Sequence, residues 1–198
     1  MSFSYETKNE LCRLPVQKLC CARAEAYGIL LYCNTFSATE VRVITENPNF
    51  AERLPKLFRR AFGLSFDRQP DKEQIEGKRI FQITDPRKLN HIINVLGYDP
   101  QQNLVLHINF AFMEEACDQA AFLRGAFFAG GSITDPQKRY HLELTTSHLQ
   151  VSREIESLLV ECGYPPKSLS RNGSSITYFK QSDQIEDFLT MIGAPVAG

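Results

Sequence analysis

A glycine in the middle of an apolar helix costs about 0.8–1 kcal/mol relative to alanine, so something must offset it. The stretch Ala120-Ala-Phe-Leu-Arg-Gly-Ala-Phe-Phe-Ala-Gly-Gly-Ser-Ile-Thr-Asp-Pro136 carries such a glycine at Gly125. Ala121, Gly125 and Ala129 recur every four residues and make one helical stripe without bulky side chains. Close approach by a second helix is the expected compensation. Gly130-Gly131 predicts a left-handed cap at the helix end. Ser132-Ile133-Thr134 then begins an extended segment, and Asp135-Pro136 is a turn signal.

A second helix of this kind lies upstream. Ala24 to Phe36 aligns with Ala121 to Ile133 at one offset, so that Ala24 matches Ala121 and Gly28 matches Gly125. Further on, Val41-Arg-Val-Ile-Thr45 resembles His141-Leu-Glu-Leu-Thr145, and each is followed by a helical pattern ending at Gly63 or Gly163. Phe81 to Gly97 echoes Tyr178 to Gly193. A repeat of about half the chain is a two-fold duplication, and it predicts that the small-residue helices pack on each other about a pseudo-dyad.

The remaining elements follow from periodicity and punctuation. Ser4 to Leu14 reads as an amphipathic helix, with Ser4 as N-cap or Thr7 as an alternative start, ended by Pro15. Lys18 to Arg23 reads as a connector. Ser37 to Glu46 is a strand, and Asn47-Pro48-Asn49 caps a helix through Phe62 whose apolar face is Leu54, Leu57, Phe58 and Ala61. Leu64 to Gln69 and Lys78 to Thr84 read as two strands, and Asp85-Pro86 starts a helix closed by Gly97. Tyr98 to Asn103 divides the copies, while Leu104 to Cys117 has no clear pattern. In the second copy Tyr140 to Thr146 is a strand and Ser147 caps a helix with Val151, Ile155, Leu158 and Leu159 inward. Asn172-Gly173 turns a hairpin between Lys167–Arg171 and Ser174–Lys180. Ser182 caps the last helix. Each copy therefore reads α-β-β-α-β-β-α, an α+β fold with a mixed sheet and helices on one face. The expected boundaries are 1–21 for the leading helix and connector, 22–98 and 119–198 for the repeats, and 99–118 for the linker.

Composition narrows the function classes. Among 198 residues, 22 basic and 23 acidic side chains leave a net charge of −1, so no global basic surface draws the chain to nucleic acid or anionic membrane. Cys12, Cys20, Cys21, Cys33, Cys117 and Cys162 show no C-x-x-C spacing and read as thiols in a reducing compartment. Neighbouring Cys20 and Cys21 are a poor start for a chelate. Without a charged-then-apolar leader or a membrane-spanning apolar run, the expectation is a cytoplasmic protein with no membrane contact.

The repeated helix ending in Gly-Gly resembles the LAGLIDADG homing-endonuclease fold. More narrowly, Phe122 to Ile133 with Tyr140-His-Leu-Glu-Leu144 resembles the WhiA family of Gram-positive regulators, as do Ser2 to Leu11 and the Cys20-Cys21 pair. The resemblance implies a saddle-shaped sheet, a role in transcription tied to sporulation and cell division, and a carboxy-terminal helix-turn-helix domain that would do most of the sequence reading and is expected to lie outside this chain. Homing endonucleases hold divalent metal on an acidic residue at the foot of each signature helix. Here those positions fall on Cys33 and Gly130, which cannot hold magnesium: one is a thiol, the other has no side chain. A non-enzymatic module without cofactor or metal is the expectation; a nuclease is the opposed reading.

The resemblance also implies that DNA meets the open face of the sheet. Candidate contacts are Arg42, Arg68, Lys78 and Arg79 in the first copy and Arg139, His141, Lys167, Arg171 and Lys180 in the second. Ser168, Ser170, Ser174 and Thr177 lie between them, and Glu46, Asp67 and Glu143 oppose them. The alternative is a scaffold for a protein partner. Because the duplication already supplies a two-fold, the expected state is a monomer. His141 and His148 read as surface histidines, and Cys33 as a filler at a helix end.

Overall fold

The computed structural model describes residues 2–16, 18–99, 105–135, 137 and 139–197. The first repeat runs α1 (Phe3–Leu11), α2 (Leu19–Tyr32), β1 (Thr35–Phe36), β2 (Val41–Thr45), α3 (Pro48–Phe62), β3 (Arg79–Ile83) and α4 (Pro86–Val95). After a single 3-10 turn at Phe110–Phe112, the second runs α5 (Ala116–Gly130), β4 (Gly131–Ile133), β5 (Leu142–Thr146), α6 (Leu149–Glu161), β6 (Lys167–Arg171), β7 (Ser174–Phe179) and α7 (Ser182–Ile192). The first turns of α2 and α5 thus lie ahead of the boundaries drawn at 22 and 119, and most of the connector Lys18–Arg23 is helix.

Backbone contact between α2 and α5 organises everything else. A Cβ added to Gly28 would sit 2.1 Å from the carbonyl oxygen of Phe122, and one added to Gly125 would sit 2.0 Å from that of Glu25. No side chain fits at either crossing point, so glycine is required by contact rather than by backbone conformation. Ala24 and Ala121 are buried on the same seam and Ala129 is partly buried at its lower end. Tyr27 packs edge-on against Phe122 with ring centroids 5.5 Å apart. Its hydroxyl meets the Tyr98 hydroxyl at 2.6 Å, donates to the His107 carbonyl at 2.7 Å and accepts from the Asn109 N–H. That network holds the described part of the inter-repeat linker against α2; residues 100–103 of the expected divider lie outside the described residues, as do Leu104 and Pro136.

Glu25 adds an ionic tie across the same seam. Buried to 1% exposure, it accepts from Arg53 of α3 at 2.7 and 2.9 Å and from Arg124 of α5 at 2.7 Å. Removing one member of such a buried set leaves an uncompensated charge and typically costs about 3–5 kcal/mol.

The sheets differ from the sequence expectation in three ways. Instead of one mixed, saddle-shaped sheet there are two antiparallel ones, ordered β1-β2-β3 and β4-β5-β7-β6, each with helices covering its inner face. Leu64 to Gln69 forms no strand: a single bridge joins Arg68 to Gln82 of β3, and the chain then leaves the sheet edge. The register also places Val41 opposite Ile83 and Leu142 opposite Phe179, so Val41 corresponds to Leu142 rather than His141. A one-residue slip would have turned every side chain of β5 to the wrong face.

Gly130 and Gly131 make no left-handed cap. Gly131 is extended at φ −96°, and α5 passes directly into β4. Both glycines answer to crowding: a Cβ on Gly130 would approach the Thr145 carbonyl oxygen at 2.5 Å, and one on Gly131 would approach the Phe127 ring at 2.4 Å. Helix starts shift by a residue or two. Ser2 caps α1 by accepting from the Tyr5 N–H, while His148 and Gln181, not Ser147 and Ser182, occupy the cap positions of α6 and α7. Asn47 caps α3 and Asp85 caps α4, each followed by proline at the first helical position.

Candidate functional site

The feet of α2 and α5 are built without ligands for a hard cation. Cys33, capping α2, donates its thiol to the Leu30 and Thr35 carbonyls at 3.3 Å each, and burial pushes that thiol up to about 12. At the other foot Gly130 is closed in by Thr145 and by the Tyr32 ring, whose Cδ2 would lie 2.9 Å from an added Cβ. Thr146 Oγ1 donates to the Leu31 carbonyl at 2.9 Å and ties β5 to the last turn of α2. A protonated thiol and a side-chain-free residue do not fit magnesium or manganese, which take oxygen ligands.

Register decides which cations reach the outer faces of the sheets, because paired residues share a face. On the second sheet Lys167 pairs Tyr178, Arg171 pairs Ser174 and Tyr178 pairs Glu143, all outward. There the His141 ring stacks on Tyr178 with centroids 5.4 Å apart, and Lys180 Nζ lies 5.6 Å from the Tyr178 centroid. Glu143 sits at 3.1 Å from His141 Nε2 and 4.0 Å from Arg171, so it partly neutralises the patch. Arg139, Lys167, Arg171 and Lys180 are exposed. On the first sheet Arg42 pairs Gln82 outward and meets Glu40 at 3.4 Å, while Gln82 donates to Glu40 at 2.6 Å. Arg68 and Lys78 are exposed at the edge.

Arg79 does not belong with them. It shares the inward register of Phe81 and Ile83, is 5% exposed, and donates to the carbonyls of Glu46, Gln74, Ile75 and Gly77 at 2.9–3.3 Å. Its guanidinium holds the loop before β3 in place and is not available to a ligand. Thr177 is likewise buried, bonded to Ser152, and Ser168 and Ser170 share its register; only Ser174 of the expected hydroxyls faces outward. Asp67 is spent on Lys88 and on the N–H groups of Thr84 and Asp85, so it does not oppose the cationic face.

One constellation escapes a reading of the sequence by local spacing. The first turns of α2 and α5 bring Cys20, Cys21 and Asp118 together with their ligand atoms all within 4.8 Å, beside Cys117. Carrying the Gly28–Gly125 offset back to the helix starts would have matched Cys20 with Cys117 and Cys21 with Asp118.

A duplicated α+β chain with a glycine-crossed helix pair, two antiparallel sheets and helix feet without acids is a protein of the LAGLIDADG homing-endonuclease-like class. The model of the WhiA LAGLIDADG-like domain matches residues 119–197. A probable cell division protein WhiA of Ruminiclostridium cellulolyticum is 34% identical over 98% of this chain and 64% of its own length. Full-length WhiA of Thermotoga maritima superposes with a TM-score of 0.73 at 19% identity, over 98% of this chain and 62% of that one. A variant of the homing endonuclease I-DmoI, in complex with its target DNA, shares the fold at a TM-score of 0.61 and 12% identity, over 89% of this chain and 97% of its own. The chain belongs to the WhiA family and corresponds to its amino-terminal LAGLIDADG-like portion. It spans less than two thirds of the length of the curated relative. No helix among the described residues is long and apolar enough to cross a membrane.

Proposed function

We propose that this chain is a non-catalytic, DNA-contacting module of a WhiA-type transcriptional regulator acting in cell division and sporulation. The observation that carries the reading is the pairing of emptied helix feet with retained outer-face cations. Cys33 and Gly130 offer no side-chain oxygen to a divalent ion, whereas Arg68, Lys78, Arg139, Lys167, Arg171 and Lys180 are exposed on or beside the outer sheet faces, with the half-exposed Arg42 ion-paired to Glu40 among them. Basic side chains on strands suit phosphate contact, which positions a protein without reading bases. Sequence reading falls to a helix-turn-helix domain of the kind the family resemblance implies. The relative named above as a cell division protein supports the cellular role. The module works as a monomer in the cytoplasm, since its pseudo-dyad already presents two half-surfaces.

A scaffold for a protein partner is the second reading, favoured by the net charge of −1 and by the engagement of cations by Glu40 and Glu143. Incubating duplex DNA with the chain in manganese or magnesium separates the readings. A salt-sensitive complex without strand cleavage is expected. Cleavage would overturn the non-catalytic assignment, and absence of any complex at low salt would favour the scaffold.

A further inference from the structure

We propose that the amino-terminal ends of the paired helices hold a soft divalent cation, zinc in the first instance, through Cys20, Cys21, Cys117 and Asp118. The site lies at the opposite end of the α2–α5 pair from the helix feet and owes nothing to them.

Geometry comes first. The Cys21 thiol donates to Asp118 Oδ1 at 3.7 Å, and the ligand atoms of Cys20, Cys21 and Asp118 all lie within 4.8 Å of one another. Tetrahedral zinc, with Zn–S about 2.3 Å and Zn–O about 2.0 Å, separates sulfur from oxygen by about 3.5 Å and sulfur from sulfur by about 3.8 Å. Small side-chain rotations therefore bring the donors onto one ion without backbone movement. Cys117 is the fourth donor. It stands outside the set of three whose ligand atoms lie within 4.8 Å of one another, and is recruited as the residue before Asp118 in the first turn of α5, so that the four ligands come in adjacent pairs from two helices.

Asp118 supplies an independent observation. It is 4% exposed, and among the described residues no lysine, arginine or histidine pairs with it. A buried carboxylate partnered by thiols is costly, and a bound cation is what such a group lacks. Cys20 and Cys21 lie in the first turn of α2, Cys117 and Asp118 in that of α5, and neither Lys18 nor Glu115 makes a side-chain cap bond. Two helix N-termini thus set their positive dipole ends beside the donors. Zinc takes the thiolate form, so metal binding displaces thiol protons and affinity falls as pH falls.

Softness selects the ion. Three thiolates and one carboxylate suit zinc and reject magnesium or calcium. Four protein donors leave no open position, so the ion is structural: it staples the two repeats where their helices begin.

The test is titration of the reduced, full 198-residue chain with zinc against a chromogenic chelator, and with cobalt(II) as a spectroscopic probe. One zinc per chain is expected, with cobalt showing thiolate charge-transfer and tetrahedral ligand-field bands. Cys21→Ser and Cys117→Ser should each weaken zinc by at least the roughly 10–100-fold that outer-shell changes cost. Cys33→Ser and Cys12→Ser should leave it unchanged. Should a cysteine variant fold poorly, Asp118→Asn supplies the same comparison. The proposal is overturned if the wild-type chain retains no zinc at micromolar concentration. It is equally overturned if the cobalt–thiolate bands survive in both cysteine variants.

Discussion

The two ends of the α2–α5 pair make a natural experiment. At the feet, where homing endonucleases keep their acids, this chain has Cys33 tied to two carbonyls and Gly130 pressed against Thr145 and Tyr32. At the opposite end the same two helices gather two thiols, Cys20 and Cys21, and the buried Asp118 carboxylate. The crossing glycines between them fix the distance at both ends. A scaffold that brings two helices into backbone contact makes paired positions at either end, and side-chain type together with local room decides which pair can hold an ion.

The crossing is where the comparison breaks most completely. Gly28→Val or Gly125→Val places carbon 2.1 or 2.0 Å from a carbonyl oxygen, and the helices must part. A loss beyond the roughly 1–3 kcal/mol usual for overpacking is expected, read by denaturant unfolding. Glu25→Leu should cost about 3–5 kcal/mol by leaving Arg53 and Arg124 buried without their carboxylate. Retained stability in that variant would mean that water reaches the guanidinium groups.

Rebuilding the feet sharpens the contrast. Cys33→Asp with Gly130→Asp should lower stability by about 1–3 kcal/mol and generate no manganese-dependent cleavage, because Gly130 has no room for a side chain. Nicking by that double variant would show that the feet are only chemically, not sterically, closed. Thiol reactivity separates the two ends without mutation. In the metal-free chain at pH 8, alkylation followed by mass spectrometry should mark the exposed Cys20 and Cys117 ahead of the less exposed thiols. Cys33 and Cys12, both pushed up to about 12 by burial, should label slowly. Equal rates at both ends would contradict the burial at the feet.

The smallest effect concerns Lys8, whose ammonium lies 5.6 Å from the Phe127 ring centroid and whose burial lowers it to about 8 from 10.5. Because its folded value lies below its unfolded one, the unfolded chain binds more protons between pH 8 and 10.5. Stability from this group should therefore rise with pH across that window. Lys8→Met should flatten the rise in an unfolding series.

What the sequence revealed and what it hid divide along physical lines. The glycine stripe was legible because close helix contact forbids side chains at fixed helical spacing, and Gly28 and Gly125 stand at that spacing in both repeats. The Asn172-Gly173 turn was legible because both residues take positive φ, 51° and 80°, a local demand. Arg79 was misplaced because its face depends on the register of β3, which one residue of slip inverts. Leu64–Gln69 kept a strand-like composition but has only one bridge to β3. Glu25 and the thiol cluster were hidden for a shared reason: their partners lie 28, 99 and 97 residues away and meet only once the helices cross.

Duplex DNA binding, at low and moderate salt, of the wild-type chain beside a variant with Arg139, Lys167, Arg171 and Lys180 reversed to glutamate tests the functional account most directly. The account predicts a complex that weakens with salt, a slope of log K against log salt no steeper than about −4 for these contacts, loss of binding in the variant, and intact DNA throughout. A variant that binds as well as wild type, or a wild-type chain that binds no DNA at low salt, would contradict it.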